Sequence, residues 1–489
     1  MTAAHPAPVP TRAAPDSPRR LDAAGRLLRL ELRRNAMLWM LPLTAALFWL
    51  VNHRQSMAYP PLWNVRAMTM QTTAVAVLAP TVVGAAAWTG SREGRHGLAD
   101  LVVGTARPRW ARQLAAWAAT TGWAIVAYLG CVAAVYGATA WQGAWGGPLW
   151  WPAVVGAASV PAFAALGFAA GALRPSRFTP PLVAVGAFLA LELGAQFIHG
   201  DRSYWQISPL VAGPWEIGPN EGAAIFHPYL PDLPIAQVIF LAGLTAALLG
   251  VLGLPVGSGG RWLLRCAVVI TAVGLLAAGS AVALAGTGRL GAHGMISIPA
   301  LHDPADDRPI RYTPVCSNTP IPVCLHPAYS FELSVVADAL EPVLDEVAGL
   351  PGAPVRIEQV AANYAQGADN TVEVRADVPS SSGATPVLHL LLPNQLPGPH
   401  LTGRELAATV ATQTGHEIVA SVVGAGRRPT SAQQAVTAAI LKTFATEPDA
   451  QIAAAAQRFA ALPSDARRAW LREHLAALRA GHITLAQLP

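Results

Sequence analysis

The sequence predicts a mainly α-helical chain: a polytopic α-helical membrane domain of about seven transmembrane helices, followed by a small α+β soluble domain. Three observations carry this. The 489 residues are 53% hydrophobic and only 12% charged, with a mean hydropathy of +0.38, which excludes an ordinary soluble protein. Residues 36–287 are almost continuously apolar, whereas 300–489 carry charges at ordinary globular density. The expected division is therefore a disordered cytoplasmic tail and interfacial helix over 1–35, a transmembrane domain over 36–287, and an extracytoplasmic domain over 288–489.

Each element has its own justification. The opening "MTAAHPAPVPTRAAPDSPRR" is rich in Pro, Ala and Arg and reads as disordered. No cleavage-site pattern follows it, so the first apolar run reads as a retained span. Between tail and span, Leu27, Leu28, Leu30 and Leu32 alternate with Arg26, Arg29, Arg33 and Arg34, the pattern of an amphipathic helix lying on the membrane surface. Seven segments have the roughly 20-residue apolar length that a membrane crossing requires. They lie near 36–54, 67–90, 113–139, 150–172, 179–199, 233–255 and 264–287.

Arginine sets the expected orientation, because basic residues collect on the cytoplasmic side. With the N-terminus inside, the inner segments hold seven, five, two and two arginines, and the outer loops hold two, none and one. Seven spans then put the C-terminal domain outside. The chain has one lysine, Lys442, and its arginines sit beside spans; topology explains them without a nucleic-acid partner. The localisation expected is a bacterial plasma membrane, multi-pass, with the N-terminus cytoplasmic.

In the C-terminal domain, "VCSNTPIPVC" sets Cys316 and Cys324 in a tight loop. A close pair in an exported segment reads as a disulfide worth about 2.5 kcal/mol by chain entropy; two free thiols in a cytosolic loop are the alternative. A helix is expected over 331–348, with strands in "PVRIEQVA", "TVEVRADV" and "PVLHLLLP". Thr402 with Glu405, and Thr430 with Gln433, have capping-box spacing. Pro448 and Ser464 mark two further helix starts, and Gly481 the end of the last long helix.

The segment "SREGRHGLADLVVGTARPRWARQ", Ser91 to Gln113, packs charges between the second and third spans. A short helix over 97–103 presents Leu98, Leu101 and Val102, Gly104-Thr105 break it, and a second basic helix starts near Pro108. This run resembles the signature that follows the second span in ABC-2-type transporter permeases. Glu93, Arg95, Gly97, Asp100, Leu101, Thr105, Pro108, Arg109 and Arg112 fit that pattern, and Arg107 belongs to the same basic run. Leu98, where threonine is usual, and Gln113, where lysine is frequent, depart from it. The lead-in "LRLELRRNAMLW", with Glu31 and Arg34, is similar to the interfacial helix of that family. The resemblance covers residues 26 to about 260. It implies the membrane-spanning subunit of an exporter whose 91–113 segment docks on a separate ABC ATPase subunit. It further implies a homo- or heterodimer of permease subunits in the lipid membrane. An ordinary positive-inside loop is the alternative. The chain carries no G-x-x-x-x-G-K-[ST] loop, so no cofactor is expected in it; ATP would be used by the partner.

Two motifs remain. Glu192, in "FLALELGAQFIHG", is the lone acid well inside an apolar span, where an acid costs about 2.5–3.5 kcal/mol. It reads either as part of a translocation path or of proton coupling, or as a group near the outer interface bonded to a neighbouring helix or to Gln196. "GHEIVASVV" begins like H-E-x-x-H, but Ala420 stands where the second ligand is needed, so His416 and Glu417 hold half a zinc motif and no metal site is expected. The competing reading of the whole chain is a membrane anchor presenting an extracytoplasmic sensor or degenerate-peptidase-like domain. A multi-span lipid-modifying enzyme lacks the expected intramembrane His, Asp or Glu clusters.

Overall fold

Asn35 marks the first turning point of the chain. In this computed structural model, which describes all residues except 1–16, 58, 97–107, 199–202, 213–223, 255–259, 367–371, 379–385, 397–399 and 425–427, helix α1 (Ser17–Arg33) meets α2 (Ala36–Asn52) at a 52° bend. The Asn35 side chain caps α2 by accepting from the Met37 N–H at 2.9 Å. Its amide donates to Thr120 Oγ1 at 2.9 Å, which ties the bend to the third apolar helix. Ser17 to Arg20, expected in the disordered tail, already belong to α1; the rest of that tail, 1–16, lies outside the described residues.

Every one of the seven apolar segments is helical. After α2 come α3 (Trp63–Gly90), α4 (Arg109–Trp141), α5 (Trp150–Leu173), α6 (Thr179–Phe197), α7 (Asp232–Gly253) and α8 (Gly260–Ala285). Among the described residues, five helices are long and apolar enough to cross a membrane alone: α3, α4, α5, α7 and α8. Six qualify if Gly25–Arg33 and Ala36–Asn52 count as one bent span, and α6 is apolar only over the shorter Thr179–Gly194. The basic helix expected near Pro108 is not separate. It starts at Arg109, with Pro108 in the preceding position, and runs on as α4 to Trp141.

Local chemistry explains the irregularities and the closest packing. A π-helical turn over Ala74–Leu78 interrupts α3 immediately before Pro80, whose missing N–H and ring cannot follow a regular α-turn. Glycine lets α3 and α5 touch backbone to backbone. A Cβ on Gly167 would stand 2.1 Å from the Val83 carbonyl oxygen, and one on Gly171 2.2 Å from that of Ala87.

The strands lie after α8. Two short hairpins pair β1 (Arg289–Leu290) with β2 (Ile296–Ser297), and β6 (Ala362–Gln366) with β7 (Val372–Ala376). A four-stranded sheet has the order β3 (Val315–Cys316), β4 (Val323–Leu325), β5 (Arg356–Gln359), β8 (Val387–Leu390). Its first pair is antiparallel and the other two are parallel. Among the described residues five helices complete this region: α9 (Leu333–Val347), α10 (Gly403–Val423), α11 (Ser431–Leu441), α12 (Ala450–Ala461) and α13 (Ser464–Arg479). The Thr430–Gln433 capping box forms in both directions, at 3.3 and 2.8 Å. Thr402 stands at the N-cap of α10 but its hydroxyl caps nothing, so the second expected box is absent.

The core of this region does not stop at its own elements. Buried Val323, Leu325, Leu340 and Ile357 share one apolar cluster with Leu62, at the start of α3, and with Ile225 and Phe226, just before α7. The helical bundle and the strand-bearing region are thus packed against one another.

Candidate functional site

Three carboxylate–guanidinium pairs gather where α1, α3 and α4 meet. Glu31 on α1 accepts from Arg92 at 2.8 Å. Glu93 lies 3.5 Å from Arg112 and 4.0 Å from Arg109, both on the first turn of α4. Arg92 and Glu93 belong to a four-residue helical turn, Arg92–Arg95, directly after α3. Arg95 folds back over Trp88, its guanidinium carbon 3.7 Å from the ring centroid, and donates to the Trp88 carbonyl at 3.2 Å. Trp123 of α4 donates to the Leu32 carbonyl of α1 at 2.9 Å. Individually these exposed or half-exposed pairs are worth at most about 1 kcal/mol each. Together they fix three helix ends relative to one another.

Of the residues expected in the coupling segment, Glu93, Arg95, Arg109 and Arg112 meet in this cluster, and Pro108 precedes α4. Gly97, Asp100, Leu101, Thr105 and Arg107, with the short helix expected over 97–103, lie outside the described residues. Glu192 is half-buried near the end of α6 and has no hydrogen bond or ion pair among the described residues, Gln196 included. Cys316 and Cys324 face one another across the β3–β4 pair and are disulfide-bonded. His416 and Glu417 are exposed on α10. Among the described residues no three His, Cys, Asp or Glu side chains assemble to hold a metal ion.

No protein-family model, no curated protein and no solved structure matches this chain. Function must be argued from its own residues.

A second polar assembly lies about 39 Å along α3 from Arg92, taking the rise of 1.5 Å per residue. Arg66, in the first turn of α3, is 0% exposed. It donates to Thr139 Oγ1 of α4 at 2.9 Å and to the Tyr59 carbonyl at 3.3 Å, and it meets no carboxylate among the described residues. The Tyr59 ring packs against His400, 5.0 Å between centroids. His400 in turn stands 3.9 Å from the Glu332 carboxylate, both side chains buried. Burial raises the Glu332 carboxyl to about 7, against the pull of a 2.6 Å bond donated by Asn394. Burial also lowers His400, and lowers His326 to about 4. His326 is enclosed by Trp145, Phe226 and Tyr312, with ring centroids 4.1–4.9 Å away.

Sequence reasoning counted Arg66 as a loop cation and missed this assembly. One signal was present. In "WNVRAMTMQTT" the polar residues Asn64, Arg66, Thr69, Gln71 and Thr73 recur through an apolar helix, and all five are buried. The partners His400 and Glu332 carry no such signal, because only the fold joins them to Arg66 and Tyr59, more than 260 residues away in sequence.

Proposed function

We propose that this chain is the membrane-spanning subunit of an ABC-2-like exporter, driven by a separate ATPase that docks on the 91–113 segment. The observation that supports this most is the charged junction of Glu31, Arg92, Glu93, Arg109 and Arg112. A push delivered between α3 and α4 reaches α1 through Glu31–Arg92 and α4 through Glu93, so three helix ends move together. A loose surface loop transmits nothing of the kind. The seven-span topology belongs to this proposal: α2 and α6 are counted as spans alongside the five longer helices, the arginine-rich ends face the cytoplasm, and the disulfide-bearing region is outside. A pair of such subunits forms the path. The shared core of Leu62, Ile225 and Phe226 with the strand-bearing region favours one working unit over an anchor carrying an independent domain.

Affinity purification of the native protein tests the proposal. A P-loop ATPase should co-purify and should be lost on Arg107→Glu with Arg109→Glu. Recovery of no ATPase, or function that persists when residues 1–287 are replaced by a single unrelated span, overturns it in favour of the anchor.

A further inference from the structure

A groove of about 680 Å³ opens sideways between α2, α3 and α6. Trp39, Gly84, Trp88, Pro181, Val185 and Phe188 line it, and Trp39 and Trp88 leave 84% and 49% of their surface uncovered. It occupies one half of the bundle: the first turns of α2 and α6 and the last turns of α3. Along α3 it extends from Pro80 to Trp88, about 12 Å, close to one leaflet of a ~30 Å hydrocarbon core.

The three strands of chain at its end are all basic. Arg34 precedes the α2 turn that lines it, Arg95 lies over Trp88 of its wall, and Arg174 and Arg177 precede the start of α6. Glu31 and Glu93 are already engaged by Arg92, Arg109 and Arg112. Arg34, Arg95, Arg174 and Arg177 have no carboxylate in ion-pair reach among the described residues. We propose that the groove holds one acyl chain of an anionic phospholipid, whose phosphate lies among Arg34, Arg95 and Arg177. Indole rings at the rim suit the boundary between chain and headgroup. A second copy of the chain is the rival occupant. Related by an axis normal to the membrane, it would bring the same arginines against these, with no free carboxylate among the described residues beside them; an anionic headgroup neutralises them. The proposal does not depend on the transport reading.

The test is native mass spectrometry of the full chain in mild detergent, offered phosphatidylglycerol and phosphatidylcholine with identical acyl chains. Phosphatidylglycerol should be retained preferentially. Arg95→Gln and Arg177→Gln should each lower that preference about fivefold, the factor expected per basic residue near a headgroup. Gly84→Phe, which projects bulk into the groove, should abolish retention of both lipids. Val185→Trp, at the exposed rim, should do the same without touching helix packing, should Gly84→Phe fail to fold. Equal retention of the two lipids, or a preference indifferent to all four variants, overturns the proposal. So does a Val185→Cys variant that cross-links quantitatively into a dimer in phosphatidylglycerol membranes, since the groove then belongs to a second copy.

Discussion

Glu31 and Arg92 are 61 residues apart in sequence, and their side chains meet at 2.8 Å. Arg92 is 43% exposed and Glu31 12%, so the bond is a fastening rather than a large source of stability, worth about 1 kcal/mol or less. Glu31→Gln should therefore leave the unfolding temperature nearly unchanged while loosening α1 from the turn after α3. In the proposed exporter, ATP hydrolysis should continue as transport falls. The swap Glu31→Arg with Arg92→Glu should restore coupling. Transport that survives Glu31→Gln unchanged would remove this pair from the coupling path.

Arg66 poses a different question, because it is wholly buried near the far end of α3 without a counter-ion among the described residues. Arg66→Ala removes two hydrogen bonds and leaves a void, which should cost about 3 kcal/mol. Arg66→Met keeps most of the volume and relieves the burial of a charge, so stability should match or exceed wild type. Thermal unfolding in detergent distinguishes them. If methionine proves as damaging as alanine, the guanidinium bonds to Thr139 and Tyr59 are indispensable to folding and the residue is structural.

What the sequence revealed follows from the range of each signal. The helices were legible because an apolar run near 20 residues has few other uses, and β5, β7 and β8 because short apolar or alternating runs are bounded by Gly, Pro and Ser. β6, "ANYAQ", and the two-residue β3 are too short and too polar to announce themselves. The expected cap at Thr402 had the right spacing, but its hydroxyl makes no bond to the helix end. At the candidate site the charges were visible and their partners were not. Glu93 with Arg112 is a pair 19 residues apart in sequence, whereas Glu31 with Arg92, and Tyr59 with His400, are brought together by tertiary packing.

Acid response should be set by two buried groups of opposite sign. The Glu332 carboxyl is raised from 4.5 to about 7, so the folded protein binds more protons than the unfolded chain across that window. Its contribution to stability declines as pH rises from about 4.5 to 7. His326 is lowered from 6.5 to about 4, so its contribution rises with pH over about 4 to 6.5; His400 acts in the same direction. The Glu332 and His326 terms are each about 3 kcal/mol, and between pH 4.5 and 6.5 these two nearly cancel in the wild type. Glu332→Gln keeps an acceptor for Asn394 and removes one term. Its stability relative to wild type should grow by about 3 kcal/mol between pH 4.5 and 7. His326→Asn, which preserves an acceptor for the Ala328 N–H, should change with pH in the opposite sense. Denaturant unfolding at a series of pH values reads both, and parallel curves for the two variants would refute the opposed assignment.

The Cys316–Cys324 bond tests fold and topology at once. It closes a loop of sequence separation 8, and replacing both residues by serine should lower stability by about 2.5 kcal/mol, the chain-entropy value for so short a loop. Cys316 is exposed, whereas Cys131 and Cys266 are partly covered within α4 and α8. After reduction of intact cells with an impermeant phosphine, an impermeant maleimide should therefore label Cys316 first. Inverted vesicles should remain unlabelled until they are opened. That outcome puts the strand-bearing region on the side opposite Arg109 and requires an odd number of crossings from α4 onward, so α6 must span beside α4, α5, α7 and α8. Labelling of inverted vesicles alone would put the region beside Arg92 and Arg109, leave four crossings from α4 onward, and demote α6 to the membrane surface.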